Sequence, residues 1–176
     1  MVNSRAKGSQ FERNVATCLL EELGLLFQRD LEQYRQDDRG DLICVDMINF
    51  PFIIECKAWA KGNEAKPAWW SQVCKAAKAH THRRMLTDDS DVGRKVPLLV
   101  YKYDRAPWRW RMPAQVLIDL GHPHGNHDMA DDAQLDWGYA VEMDTVTAMT
   151  LIREVLAHRD TEAGNAGITT TVDVKE

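Results

Sequence analysis

Apolar residues near the start of the chain recur at helical spacing. Phe11, Val15, Cys18, Leu19 and Leu26 predict an amphipathic helix over Ser9 to Leu26, with Gly24 marking its end. Leu25 to Arg39 reads as extended and polar, with Gln28, Arg29, Gln33, Tyr34 and Arg35. Two strands follow, Asp41 to Ile48 and the more apolar Phe52 to Ala58. Asn49-Phe50-Pro51 supplies turn chemistry between them, so the pair is expected to form a hairpin. Pro67 suits the first turn of a second helix over Ala68 to Met85. Beyond an acidic loop at Thr87 to Arg94, strands are predicted at Val96 to Tyr103 and Trp108 to Met112. Gly121 to Asp136 is a polar loop, Tyr139 to Met143 a short strand and Thr145 to His158 a last helix. Residues 1–160 are expected to form one domain, with a core at about 4–113 and an extension over 114–160. The small, polar residues 161–176 are expected to form a mobile tail.

Charge divides unevenly along this pattern. Residues 1–113 carry 19 Lys+Arg against 15 Asp+Glu, and residues 114–176 carry 3 against 12. The formal net charge of −5 therefore leaves room for a basic surface on the first part, and an acidic total does not exclude nucleic acid as a partner. No apolar run approaches the roughly 20 residues of a membrane span. The four cysteines are scattered without a CxxC pair, which disfavours structural zinc and suits reduced thiols in a cytoplasmic protein.

The chemistry gathers on the predicted hairpin. Side chains alternate along a strand, so Glu55 and Lys57 share one face and Ile54 and Cys56 the other. The lead-in Phe52-Ile53-Ile54 predicts a buried strand, where two charges are costly unless they have a use. With the turn centred on Phe50, residues whose numbers sum to about 100 face each other. Val45 would then oppose Glu55, and Asp41 would lie diagonal to Lys57 on the same face. Two carboxylates suit Mg²⁺, and the Cys56 carbonyl offers a further oxygen. Such a centre can hydrolyse a phosphodiester. Lys57 would orient or deprotonate the attacking water, or neutralise charge in the transition state, and the sequence leaves these roles open.

Gly40-Asp41, thirteen intervening residues and Glu55-Cys56-Lys57 resemble the D…ExK core of the PD-(D/E)xK nuclease superfamily. Lys7-Gly8-Ser9-Gln10-Phe11-Glu12-Arg13-Asn14-Val15-Ala16 resembles the first helix of archaeal-type and phage Holliday-junction resolvases, in which a helical glutamate at the place of Glu12 joins the metal site. The resemblance implies an α/β (α+β) restriction-endonuclease-like αβββαβ core, a central mixed sheet flanked by helices. It also implies a homodimer, Mg²⁺ or Mn²⁺ and paired nicks in branched DNA, in the host cytoplasm if the chain is phage-encoded. Gly40 stands where the motif's name has proline, and Ala114 to Gly138 exceeds the compact resolvase pattern.

Each of these residues also has a plainer reading. Ser9-Gln10-Phe11-Glu12 matches a capping box, in which Glu12 would only satisfy a backbone N–H. Glu55 and Lys57 could be a surface ion pair, and Asp41 the end of a turn. Gln72, on the helix after the ExK strand, is either near the active site, as in related nucleases, or solvated. Arg5, Lys7, Lys61, Lys66, Lys75, Lys78, Arg83 and Arg84 are candidate phosphate contacts, each also readable as a solvated side chain. His122, His124, His127 and Asp128 read as a surface loop rather than a metal site, and Trp108 and Trp110 as core or dimer interface. Besides junction resolution, the same residues allow a nuclease acting on linear or single-stranded DNA, or a catalytically dead DNA-binding module.

Overall fold

The structure, a computed structural model, describes residues 4–31, 39–86, 95–119 and 137–166. The side chains of residues 4, 81–86, 118–119 and 159–166 lie outside that description, as do the predicted loops at 87–94 and 121–136. In chain order the elements are α1 (Ser4–Leu23), β1 (Phe27–Arg29), β2 (Leu42–Cys44), β3 (Phe52–Trp59), α2 (Pro67–Leu86), β4 (Val96–Tyr103), β5 (Arg109–Pro113), α3 (Gln115–Asp119), β6 (Ala140–Met143) and α4 (Thr145–Ala166).

The strands form one sheet in sequence order, β1 to β6. All neighbours are antiparallel except β3 and β4, which run parallel with Glu55 beside Leu99 and Lys57 beside Tyr101. Parallel neighbours need a crossover, and α2 supplies it. The result is an α+β mixed sheet of the restriction-endonuclease-like kind, and its first six elements give the expected αβββαβ order.

Strand alternation divides β3 and β4 between two cores. Ile54, Cys56, Leu98 and Val100 pack with Phe11, Val15 and Leu19 of α1 and with Met149 and Ile152 of α4. Ile53, Leu99, Tyr101 and Tyr103 pack with Trp69, Trp70, Val73 and Ala77 of α2. Burial on both sides is what fixes the register of the central strands, since a slip by one residue would exchange the faces.

Several boundaries depart from the sequence reading. Helix α1 begins at Ser4 and not Ser9, so Glu12 lies in the third turn and the capping-box reading of Ser9 and Glu12 falls. It ends at Leu23, where Gly24 (φ 71°) donates its N–H to the Leu20 carbonyl at 2.9 Å as a left-handed cap. The polar stretch after it contains edge strand β1, and residues 32–38 lie outside the described residues. Strand β2 stops at Cys44 because residues 45–51 do not form a tight hairpin. Val45 and Asp46 instead tie back to Leu26, the Asp46 carboxylate accepting its N–H at 2.7 Å. Phe50 is buried against Phe27 and Phe52. Helix α3, a single short turn, has no counterpart in the sequence pattern. Helix α4 runs on to Ala166, so residues 161–166 of the expected mobile tail are helical, and 167–176 lie outside the described residues.

Candidate active site

The longer loop resets the β2–β3 register. Leu42 pairs with Ile54, so facing residues sum to 96 and not 100. The shift is even, so the faces are preserved. Its effect is to bring Asp41 next to Glu55, where the tighter turn had put Val45. Asp41 is gripped on both sides: its N–H donates to the Ile54 carbonyl at 2.7 Å, and its own carbonyl accepts the Asp30 N–H at 2.9 Å. Its carboxylate Oδ2 accepts the Cys56 N–H at 2.6 Å, taking over a strand donor beyond the end of the short β2 ladder. Gly40 makes this possible. A Cβ there would lie 2.3 Å from the Ile54 carbonyl oxygen, so a proline would collide with β3 as would any other side chain.

Glu55 is 1 % exposed. One oxygen, Oε1, accepts from both the Lys57 ammonium and the Gln72 amide, the latter at 2.6 Å. Burial pushes the Glu55 carboxyl up to about 7, the charge of Asp41 adds to the rise, and Lys57 opposes it. Lys57 itself is raised: burial works to lower it, but Glu55, their hydrogen bond and Asp41 together prevail, so it remains an ammonium. The Cys56 thiol, turned to the α1 face, is pushed well up by burial and then by Asp41, Glu55 and Glu12, which leaves it neutral. Its contribution to the site is therefore its backbone.

The fold thus brings together Asp41, Glu55, Lys57 and Gln72. Glu12 stands close enough to act on the Cys56 thiol, yet its carboxylate is engaged by Arg29 of β1. Arg29 lies in the polar stretch after α1, and nothing in the sequence marks it as the partner of Glu12. Among the described residues no three or more His, Cys, Asp or Glu side chains assemble as a ready metal cluster. The two carboxylates still fit a hard divalent cation: they offer only oxygen, they are desolvated, and their mutual repulsion is what a cation would relieve.

The candidate phosphate contacts scatter. Lys61, Lys75 and Lys78 are exposed, as is Arg5. Lys75 sits one helical turn beyond Gln72 on α2, whereas Lys7 pairs with Asp104 and Lys66 lies over the Trp59 ring. The side chains of Arg83 and Arg84 lie outside the described residues. Trp110 is fully buried and donates to the Thr145 hydroxyl at 3.0 Å, and Trp108 meets Phe11 edge to face, so both serve the core. No helix among the described residues is long and apolar enough to cross a membrane.

No curated protein matches the sequence. One family does, described as "Phage putative PDDEXK endonuclease", over residues 3–150, a span that takes in the whole sheet and the stretch from Ala114 onward that exceeds the resolvase pattern. With a D…ExK hairpin folded on a restriction-endonuclease-like sheet and most of its length matched, the chain belongs to this phage PDDEXK endonuclease family.

Proposed function

We propose that the chain is a divalent-metal-dependent endodeoxyribonuclease centred on Asp41, Glu55, Lys57 and Gln72, with Glu12 at its margin, and that it acts on branched DNA, four-way junctions foremost. The observation that carries the reading is the side-by-side burial of Asp41 and Glu55, with Lys57 and Gln72 on the same Glu55 oxygen. Asp41, Glu55 and the Cys56 carbonyl would hold Mg²⁺ (or Mn²⁺), which would supply Lewis acidity toward the phosphate and a more acidic water.

The chain's own residues do the rest. Asp41 is fixed by three hydrogen bonds and so needs little reorganisation when DNA arrives. Gln72 and Lys57 hold the Glu55 carboxylate in one rotamer. Lys57, already charged, orients the attacking water and offsets the negative charge that grows on the phosphate oxygens. The junction preference and a homodimeric state are supported by the likeness of Lys7 to Ala16 to the first helix of resolvases, together with the place of Glu12 beside Cys56.

Incubation with a labelled four-way junction and a matched linear duplex, in Mg²⁺ and in EDTA, tests the reading. Symmetric, Mg²⁺-dependent nicks in the junction alone are expected. Cutting of both substrates would retain the nuclease and remove the junction preference, and cutting of neither would overturn the proposal in favour of a DNA-binding module.

A further inference from the structure

Strand β3 carries a third residue on the face of Glu55 and Lys57. Trp59 follows at the next same-face position, roughly 7 Å along the strand from Lys57. It is a large aromatic left 47 % exposed beside a hydrolytic centre, whereas the tryptophans of α2 and β5 are buried. The inner part of the indole leans on Trp69, with ring centroids 5.8 Å apart. Lys66 stands over the ring, its ammonium 3.5 Å from the centroid.

The segment that presents this pair is built. Tyr103 lies beside Trp59 in the β3–β4 register, and its hydroxyl donates to the Glu64 carbonyl at 2.6 Å. Gly62 crosses the Tyr103 ring with φ 144°, where a Cβ would lie 2.3 Å from the ring carbons. The Trp59 carbonyl accepts the Asp104 N–H at 3.0 Å. The turn from β3 to α2 is therefore pinned to β4 at several points, and Lys66 is delivered to the indole by that turn.

We infer that Trp59 and Lys66 form a nucleotide shelf: an unpaired base of the DNA strand being cut stacks on the indole, and Lys66 moves from the ring to the adjoining phosphate. This deepens the nuclease reading and rests on it, because a base can reach the shelf only where the strand is single or splayed, as at a branch. A π-face flanked by a cation is the general means of holding single-stranded nucleic acid without regard to sequence. A paired base in a duplex has no free face to offer.

The test uses the full chain with Asp41→Asn, so that DNA stays uncut in Mg²⁺. Binding of a short fluorescein-labelled oligothymidylate and of a blunt duplex is compared by anisotropy, with Trp59→Ala, Trp59→Phe or Lys66→Gln added. Trp59→Ala should weaken the single strand about tenfold and Trp59→Phe clearly less, with the duplex changed no more than about twofold. Lys66→Gln should lower the salt slope of single-strand binding by about one. Unlabelled oligothymidylate should quench tryptophan emission, and that quench should vanish in Trp59→Phe. Should Trp59→Ala fail to fold, the quench with Trp59→Phe decides the matter. Equal loss on both substrates, no loss, or a quench that survives Trp59→Phe overturns the shelf. Trp59-dependent binding by a chain whose unsubstituted form cuts no DNA would count against the nuclease and support the shelf.

Discussion

Two polar clusters share the α2 face of the sheet, and the rows of the sheet connect them. Glu55 stands beside Leu99, Leu99 beside Arg111, and Arg111 beside Glu142. At the β5–β6 end the charges match. Arg111 stacks on Trp137 at 3.6 Å, donates to the Trp137 carbonyl at 2.7 Å and lies 3.8 Å from Glu142, which also accepts the Tyr101 hydroxyl at 2.7 Å. Burial and Glu142 push the Tyr101 phenol up, so it stays a neutral donor. Within this cluster the buried Arg111 Nε has no hydrogen-bond partner among the described residues. At the Asp41–Glu55 end burial and the repulsion of Asp41 outweigh the attraction of Lys57, and Glu55 is strained toward its protonated form. A balanced cluster near the surface completes a fold, whereas an unbalanced one that is more deeply buried is the kind of place a cation would relieve.

The sharpest way to break this contrast is to remove charge at the unbalanced end. Asp41→Asn or Lys57→Ala should reduce cleavage by about a thousandfold or more, while the melting temperature moves little. Normal cutting by both variants would show that the chemistry lies elsewhere.

At the balanced end the expected effect is the reverse. Arg111→Met should cost about 2 kcal/mol in urea unfolding, discounted because Glu142 is partly solvated, and leave the rate per folded molecule unchanged. A selective loss of rate would join the two clusters into one functional unit.

Glu55 links stability to pH with a definite sign. Its folded value of about 7 lies above the ordinary 4.5, so the folded state binds the extra proton, and metal-free stability should fall as pH rises from about 4.5 through 7. Glu55→Gln should therefore stabilise the metal-free protein at pH 8, on the order of 2 kcal/mol. Adding Mg²⁺ should stabilise the unsubstituted chain and not the variant. A flat pH profile, or equal Mg²⁺ stabilisation of both, would remove the claim of charge imbalance.

The smallest effect belongs to the Arg29–Glu12 pair. It is partly exposed, so Arg29→Gln should cost no more than about 1 kcal/mol. Comparing cleavage by Arg29→Gln and Glu12→Gln sharpens the role of Glu12: a rate loss of roughly tenfold in the glutamate variant alone would mark it as part of the site.

Much of this was legible beforehand because alternation and helical periodicity are local properties. Phe52 to Lys57 announced its two faces, Pro67 the start of α2, and Asp41 its partnership with Glu55 and Lys57. The register was not legible, since it depends on Asp46 reaching Leu26 and on Phe50 finding Phe27, contacts between distant residues. Three-residue β1 was too short to show a period. Arg29 and Trp59 were missed for a related reason. An arginine in a polar stretch and a tryptophan at a strand's end acquire meaning only from the neighbours that folding supplies.

The missing side chain at Gly40 bears on how finely the geometry of the proposed active site can be held. Catalytic groups must hold their places to within about 0.5 Å. Here that tolerance is set where two backbones touch, since a single methyl at Gly40 would have to push Asp41 off β3 by more than that margin. The chain has replaced a stiff ring in the motif with an empty space, and the alignment of its acids rests on that space staying empty.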